Sequence, residues 1–150
     1  MAERYKQLKD LLHTKDLFQN ITVSDYLFTK CLLFAKVNLS DEEFRLYQKI
    51  FEIIHQQVLK PDLLIYLHAP VHKLQQNIRK RNRSYEQEIT DEYLFNIQET
   101  YTNYIKQHNI TTLFVDASNA DFLSKPLQVK TILDALEEDY SHGQHYLTLP

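Results

Sequence analysis

The sequence predicts a mostly helical α/β fold. Two short apolar runs without polar alternation, Leu63–Leu67 and Thr111–Val115, are each typical of an interior strand of a parallel sheet. Apolar residues at helical spacing lie before, between and after these runs, which indicates right-handed βαβ topology. The chain has one glycine, Gly143, among 150 residues, which also favours helices. Because two strands are too few for a stable parallel sheet, partner strands must come from residues 16–22, preceding sequence or another chain.

The part of the chain before the first strand is predicted to consist of helices and one link. Ser40 and Glu43 have the spacing of a capping box, so one helix begins there. That helix ends before Pro61, which disfavours helical backbone in the preceding residue. The segments before it are predicted as a helix over 2–13, an irregular link over 16–22 and a buried helix over 24–37.

The part of the chain after the first strand alternates helices with polar loops. Thr90 has a side chain that can cap the helix after it. Residues 138–150 show no periodicity and are predicted to be a loose tail that follows one partial domain over 1–137. The segments between are predicted as a helix from Val71, a polar loop over 79–88, a helix over 91–107, the second strand, a loop over 116–121 and a helix over 126–136.

Composition limits the partners and the location of the protein. The formal net charge is −3, which provides no overall positive field, so nucleic acid is not an expected partner. The apolar runs are far shorter than the ~20 residues of a membrane helix, so no membrane association is expected. A charged N-terminus and the single cysteine, Cys31, predict a reducing cytoplasmic compartment and exclude an intrachain disulfide.

The most informative segment is 61–87, where a strand and a helix lead to Arg81, Arg83 and Glu86. Arginines on a closing loop can stabilise the negative charge of a phosphoryl group in transfer. Basic residues at a helix C-terminus also complement the helix dipole without any ligand. A third interpretation is an RNA-associated surface over 73–83, whose binding would weaken steeply with salt. With one glycine, the chain cannot contain a G-x-x-x-x-G-K-[ST] phosphate loop.

Four segments in order, SDYLFTKCLLFAK, LSDEEFRLYQKIFEII, PDLLIYLHAP and IRKRNRSYEQ, resemble the deoxynucleoside kinase family. The resemblance covers residues 3–123 and is most specific over 62–87. It implies the mostly helical C-terminal part of a P-loop kinase fold, with two or three parallel strands and with the P-loop strand missing. The chain looks most similar to the kinase half of bacterial fusions with a folate-pathway pyrophosphokinase.

The resemblance implies an activity for the complete enzyme. The family transfers the γ-phosphate of ATP, with Mg²⁺, to the 5′-hydroxyl of a deoxynucleoside. Its P-loop and general base precede the matching region, so the isolated chain is expected to show negligible transfer and to bind neither ATP nor Mg²⁺ tightly. No metal-binding residue is expected in this chain. The family also implies a homodimer through the helices over 24–58.

The resemblance also implies roles for individual residues. Arg81 and Arg83 match the lid arginines that contact the ATP phosphates, which makes them the catalytic candidates, in a lid over about 79–88. Glu86 matches a lid glutamate that approaches the sugar 3′-hydroxyl. The segment DASNADF over 116–122 resembles the loop that wraps the adenine of ATP. The cofactor-binding candidates in this loop are Asp116, Ser118, Asn119 and Phe122.

Three further residues match positions that bind the deoxynucleoside base. Arg4 matches an arginine that helps to bind the base, and Asp25 falls at or next to an aspartate that pairs with that arginine. Phe28 matches an aromatic residue that lines the base pocket. Each has a structural alternative: Arg4 as a surface residue, Asp25 as a charge in the first turn of a buried helix, and Phe28 as a core residue.

The match to the family is incomplete. Asn77 stands where the first lid arginine is expected, and FQNITV over 18–23 lacks the family's Glu-Arg-Ser. A non-catalytic relative that keeps the helices as a dimerisation or interaction module is therefore an alternative to a kinase part.

Overall fold

The computed structural model describes residues 5–6, 21–25, 27–58 and 60–150. The chain divides into two compact units, Met1–Lys60 and Pro61–Pro150. The helix predicted over 2–13 lies almost entirely outside the described residues, and so does most of the link predicted over 16–22.

The first unit contains two described helices, α1 (Lys30–Asn38) and α2 (Asp41–His55). The prediction of a helix over 24–37 is wrong at its start, because residues 21–25 have no helical structure. The predicted start lies at Ser24 and Asp25, and side chains of these types compete with the backbone for hydrogen bonds in non-helical conformations. Backbone bonds from Lys30 N to Leu27 O and from Cys31 N to Phe28 O, both 3.0 Å, form the turn that leads into α1.

The predicted capping box at the start of α2 is confirmed. Ser40 N donates to Glu43 Oε2 at 3.0 Å, and Ser40 Oγ donates to the same oxygen at 2.7 Å. The Ser40 hydroxyl oxygen also accepts a hydrogen bond from the backbone N–H of Glu43, which completes the capping box. These bonds hold the pKa of the Glu43 carboxyl below its usual value. The start of α2 is therefore fixed by residues close in sequence.

The core of the first unit is an aromatic cluster between the two helices. Phe28 and Phe51 are 2% and 3% exposed, and their rings stack with centroids 5.1 Å apart. His55 stacks on Phe51 at 4.9 Å. Val58 completes the buried cluster, and the partly buried residues packed against it are Tyr5, Leu32, Tyr47 and Ile54.

The second unit is built on a three-stranded parallel sheet in the order β1–β2–β3. The strands are β1 (Leu64–His68), β2 (Thr112–Asp116) and β3 (Gln144–Thr148). The helices are α3 (Val71–Arg81), α4 (Asp91–Gln107) and α5 (Pro126–Ala135), with a short 3₁₀ helix at Ser84–Glu86. The predicted α/β class with two or three parallel strands is confirmed.

One face of this sheet carries the core of the second unit. Val115 is fully buried and Leu113 is 2% exposed, and both belong to a buried cluster with Ala135 of α5. Further apolar residues packed against the cluster are Leu63, Ile65, Ile132, Tyr140, Leu147 and Leu149. The parallel strands direct the carboxyl ends of β1 and β2 to the same edge of the sheet, where His68 is in register with Asp116.

The C-terminal residues differ from the predicted loose tail over 138–150, because Gln144–Thr148 form β3. Gly143 precedes the strand with a φ of 130°, and its carbonyl accepts a bond from Thr112 N at 2.9 Å. That positive φ suits glycine, which lacks a Cβ. A five-residue edge strand has a weak pattern in sequence, and its pairing with β2 is set by long-range contacts.

The polar loop predicted over 79–88 is also partly wrong. Residues 79–81 form the last turn of α3, and Asn82 ends the helix in the left-handed conformation with φ 51°. The basic side chains of this turn favour helix because they complement its dipole. By contrast, the capped start of α4 is confirmed, since Thr90 Oγ1 accepts a bond from Tyr93 N at 3.2 Å.

Candidate functional site

The lid, residues 79–88, brings three predicted site residues together. Arg81 Nη2 lies 3.3 Å from Glu86 Oε2, and Arg83 Nη1 lies 3.3 Å from Glu86 Oε1. The left-handed Asn82 turns the chain after α3, and the 3₁₀ helix then returns Glu86 towards the two arginines. One carboxylate therefore holds two guanidinium groups that would otherwise repel each other.

The exposure of these side chains differs in a way that suits ligand binding. The arginine side chains are 52% and 54% exposed, whereas that of Glu86 is 12% exposed. Among the described residues, Arg81 is paired through Nη2 and Arg83 through Nη1. The planar fork of a guanidinium carries further N–H donors. Because about half of each arginine side chain is exposed, such donors can contact phosphate oxygens.

Tyr85, which was not among the predicted site residues, also takes part in the lid. Arg83 Nη1 donates to Tyr85 Oη at 3.3 Å. Tyr85 and, after it, Glu86 raise the pKa of the Arg83 guanidinium above its usual value, so its positive charge is secure. Gln87 Nε2 donates to the backbone oxygens of Arg83 and Ile78, which ties the lid to α3. The lid backbone is thereby held where α3 ends.

An open cavity of about 650 Å³ lies beside the lid. Its lining combines leucine and isoleucine side chains with polar and basic side chains of α3. The lining residues are Leu74, Asn77, Ile78, Lys80, Arg81 and Leu94. Arg81 therefore connects the ion pair of the lid with this cavity.

The start of the 116–122 loop is fixed by short hydrogen bonds. Ser118 N and Ser118 Oγ both donate to Asp116 Oδ1, at 2.9 and 2.6 Å. Ala117 N donates to His68 O at 2.7 Å, which fastens the loop to the end of β1. These Ser118 bonds, helped by the charge of His68, hold the pKa of the Asp116 carboxyl below its usual value.

Replacing Ser118 with alanine is expected to raise the pKa of Asp116 towards its usual value, because the side-chain hydrogen bond is the largest cause of the shift. A carboxyl with a lowered folded-state pKa adds stability above the unfolded value, about 3.9, and loses it as pH falls through the lowered pKa. The Ser118→Ala protein should therefore lose less stability on acidification below about pH 4. Carbon NMR titration of the Asp116 carboxyl measures the pKa, and an unchanged value would contradict this assignment.

The end of the 116–122 loop is held by a second set of bonds around Asp121. Ser124 N donates to Asp121 Oδ1 at 3.1 Å, and Lys125 N donates to Asp121 O at 2.9 Å. The bonds from Ser124 are the main cause of a lowered pKa of Asp121, and the charge of Lys80 adds to it. Of the predicted cofactor-binding residues, Asp116 and Asn119 are exposed, while Ser118 and Phe122 are half-buried.

The base-binding candidates lie in the first unit. Arg4 lies outside the described residues, and Asp25 is exposed in a bend. The alternative that Asp25 sits in the first turn of the buried helix is wrong, because α1 begins at Lys30. Phe28 is buried in the aromatic core and stacks on Phe51, which agrees with its alternative as a core residue.

Gln128 is a polar residue that the sequence reasoning missed. It is 3% exposed on α5 and accepts a bond from Asp121 N at 2.9 Å through its Oε1. The available signal was its place in the apolar stripe of α5, four residues before Ile132 and seven before Ala135. An amide at an inward position of a helix must have hydrogen-bond partners, and here one of them is the 116–122 loop.

The described residues lack two further features. No group of three or more His, Cys, Asp or Glu side chains in these ranges could hold a metal ion. None of the helices in the same ranges is both long and apolar enough to cross a membrane.

Comparison with known proteins decides the family. A model of the deoxynucleoside kinase family matches residues 1–140. The chain belongs to the deoxynucleoside kinase family. The resemblance seen in the sequence is thus confirmed at the level of the family, while the likeness to fusions with a pyrophosphokinase stays a prediction. Residues 141–150, which include β3, lie beyond the matched range.

Curated relatives of this kinase-family chain are named as kinases of purine deoxynucleosides. This chain is 33% identical over 131 residues to a deoxyguanosine kinase of Bacillus subtilis, and the match covers 82% of this chain and 62% of the relative. It is 27% identical over 153 residues to a deoxyadenosine kinase of Lactobacillus acidophilus, covering 92% of this chain and 69% of the relative. A deoxyadenosine kinase of Dictyostelium discoideum is 30% identical over 108 residues, 71% of this chain and 44% of the relative. The chain therefore spans less than two thirds of the first relative's length.

Proposed function

We propose that this chain supplies the lid and part of the substrate site of an enzyme that transfers the γ-phosphate of ATP to the 5′-hydroxyl of a deoxynucleoside. The observation that carries the proposal is the pair of exposed arginines held at 3.3 Å by Glu86. Phosphoryl transfer spreads negative charge over the oxygens of the moving group, and fixed guanidinium groups stabilise that charge.

The pairing with Glu86 prepares the arginines for this role. A salt bridge restricts long side chains before the substrate arrives, so less conformational entropy is lost when the phosphates bind. The carboxylate of Glu86 accepts hydrogen bonds, so it can also bind the sugar 3′-hydroxyl of a deoxynucleoside once the lid has closed. Arg81 and Arg83 thus act on the phosphates, and Glu86 acts as their orienting partner and as a contact to the sugar.

The 116–122 loop is the proposed site of the adenine of ATP. It lies at the carboxyl end of β2, where ligands of parallel α/β sheets bind. Its backbone is already ordered by the bonds to Asp116 and Asp121. Mg²⁺ would be held by the ATP phosphates and waters, with one or two carboxylates of the complete enzyme.

The proposal is tested by comparing the isolated 150-residue chain with the complete natural polypeptide that contains it. The complete polypeptide, given ATP and Mg²⁺, is expected to phosphorylate a purine deoxynucleoside, since the relatives are named for deoxyguanosine and deoxyadenosine. The isolated chain should show negligible transfer, because its sequence has no G-x-x-x-x-G-K-[ST] loop to bind the β- and γ-phosphates. Coupled release of ADP measures both, with all four deoxynucleosides as substrates. Inactivity of the complete polypeptide with all four would contradict the proposal.

A homodimer through the helices over 24–58 is a second part of the proposal. On α2, Leu46, Ile50 and Ile53 are 63%, 47% and 66% exposed, although α2 buries a different face in the core. These three residues recur at i, i+4 and i+7, so they form one apolar stripe on the outside of the helix. Such a stripe is also the surface that a non-catalytic dimerisation module would use, which keeps that alternative open.

Replacing Ile50 with lysine is expected to convert the dimer into a monomer, because the new charge would be buried without a partner in the interface. Sedimentation velocity at micromolar concentration measures the change. Gln48→Lys is the matched control: Gln48 is exposed on the same helix but lies away from the stripe, so its replacement should leave the dimer intact. A wild-type chain that sediments as a monomer at high concentration would contradict the proposed interface.

A further inference from the structure

Gln128 joins two segments that are distant in sequence. Its Oε1 accepts a bond from Asp121 N at 2.9 Å, and its Nε2 donates to Pro150 O at 2.8 Å. The side chain is 3% exposed, so water cannot readily replace either partner. The 116–122 loop and the residues after β3 are therefore connected through one buried amide.

The chemistry of the two partners requires an amide at this position. The Asp121 N–H needs an acceptor and the Pro150 carbonyl needs a donor, and one glutamine side chain supplies both. If the amide were flipped, its NH₂ group would face the Asp121 N–H and its oxygen would face the Pro150 carbonyl. The two neighbours therefore fix the orientation of the Gln128 amide. Glutamate would lose the donor, and methionine would lose both functions.

The strand β3 brings Pro150 to this place. It pairs with β2 in parallel from Thr112↔Gln144 to Asp116↔Thr148, so both strands end beside the 116–122 loop. Leu147 and Leu149 pack into the core cluster of the second unit, which anchors the strand on both sides of Thr148. This strand follows the residues that the family model matches, which end at 140.

We propose that Gln128 and β3 together position the 116–122 loop for the adenine ring of the phosphate-donor nucleotide. The inference rests on the proposed function, which assigns the adenine to this loop. Gln128 is a positioning residue: it acts through the Asp121 backbone and does not itself touch the nucleotide. Ser124 N donates to the Asp121 carboxylate and Lys125 N donates to the Asp121 carbonyl. Loss of Gln128 therefore removes only the hydrogen bond of the Asp121 backbone N–H.

The test uses two variants of the complete natural polypeptide. Gln128→Met keeps the length of the side chain and removes both hydrogen bonds. Tyr140→Phe is the matched control, because Tyr140 Oη donates to Ala135 O at 2.8 Å, at the other end of α5. Both variants lose hydrogen bonding to the backbone near α5, but seven residues of helix, about 10 Å, separate Gln128 from Ala135.

Gln128→Met is expected to raise amide hydrogen exchange in residues 117–124 about tenfold, while Tyr140→Phe changes it less than about twofold. Calorimetric titration should show ATP binding about tenfold weaker in Gln128→Met, with binding of inorganic tripolyphosphate unchanged. Tripolyphosphate has no base, so it reports the phosphate-binding groups of the polypeptide without the loop proposed for the adenine. General damage to the fold would weaken both ligands equally. If Gln128→Met does not fold, Gln128→Leu, which also removes the acceptor for Asp121 N, is compared with Tyr140→Phe in the same way.

Unchanged exchange of the loop in the Gln128 variants would overturn the inference. Increased exchange with unchanged ATP affinity would overturn it too, since the loop would then not hold the base. Equal weakening of ATP and tripolyphosphate would assign Gln128 a purely structural role and overturn the positioning role. A wild-type polypeptide that binds ATP with this dependence on Gln128 but phosphorylates no deoxynucleoside would contradict the proposed function and leave the inference standing.

Discussion

Replacing Arg83 with alanine in the complete natural polypeptide is expected to lower kcat about a thousandfold, the low end of what one arginine contributes in phosphoryl transfer. Arg83 is 54% exposed and is held at 3.3 Å by Glu86, so its position is fixed while its outer N–H groups remain accessible. Its contribution would be made in the transition state, where charge accumulates on the transferred group. The KM for ATP should therefore change much less than kcat.

Arg79→Ala is the matched control for this experiment. Arg79 lies four residues before Arg83, in the last turn of α3. It is exposed and carries the same charge as Arg83. If the basic cluster only complements the helix dipole or attracts polyanions, Arg79→Ala and Arg83→Ala should have similar small effects. A thousandfold loss for Arg83 with less than about a threefold loss for Arg79 would identify a specific phosphate contact. Equal losses would contradict the proposed role.

Some elements could be predicted because their stabilising contacts are local in sequence. The start of α2 depends on Ser40 and Glu43, three residues apart, and the start of α4 depends on Thr90 and the backbone of Tyr93. A side chain can reach these backbone groups whatever the rest of the fold does. The strands β1 and β2 were also predictable, because a continuous apolar run between helices is typical of a parallel strand. The expected interior position holds for β2, whereas β1 lies at one edge of the described sheet with Leu67 50% exposed.

Other elements could not be predicted because they depend on distant partners or on one residue's backbone conformation. The strand β3 exists through its register with β2, about thirty residues earlier in the chain, and its own sequence QHYLT gives only a weak pattern. The length of α3 depends on Asn82, which adopts a positive φ that few residues accept and so ends the helix after Arg81. Polarity alone placed that boundary too early.

The candidate site shows the same division. Arg81, Arg83 and Glu86 lie within six residues, so a turn between two helices is enough to bring them together, and the sequence places them on one lid. Gln128 was missed because its partners, Asp121 and Pro150, lie seven residues before it and 22 residues after it. Sequence reasoning thus found the arginines that would meet the substrate, but not the amide that holds the neighbouring loop.

Replacing Phe28 with alanine is expected to lower the free energy of unfolding of the first unit by about 3–5 kcal/mol, the usual cost of removing a buried phenylalanine. Phe28 is 2% exposed and stacks on Phe51 at 5.1 Å, so its removal leaves a cavity that two helices cannot easily fill. Urea denaturation followed by circular dichroism measures the loss.

Phe34→Ala is the matched control, since Phe34 is 37% exposed on α1 and its truncation should cost only about 1 kcal/mol. The comparison separates the two roles of Phe28 that the sequence left open. A base-contact residue would lose affinity for the deoxynucleoside with little change in stability, whereas a core residue would lose stability first. A Phe28→Ala chain as stable as the wild type would contradict the packing seen in the first unit and favour the base-contact role. Because Phe28 stacks on Phe51, and Phe51 on His55, we expect stability to fall.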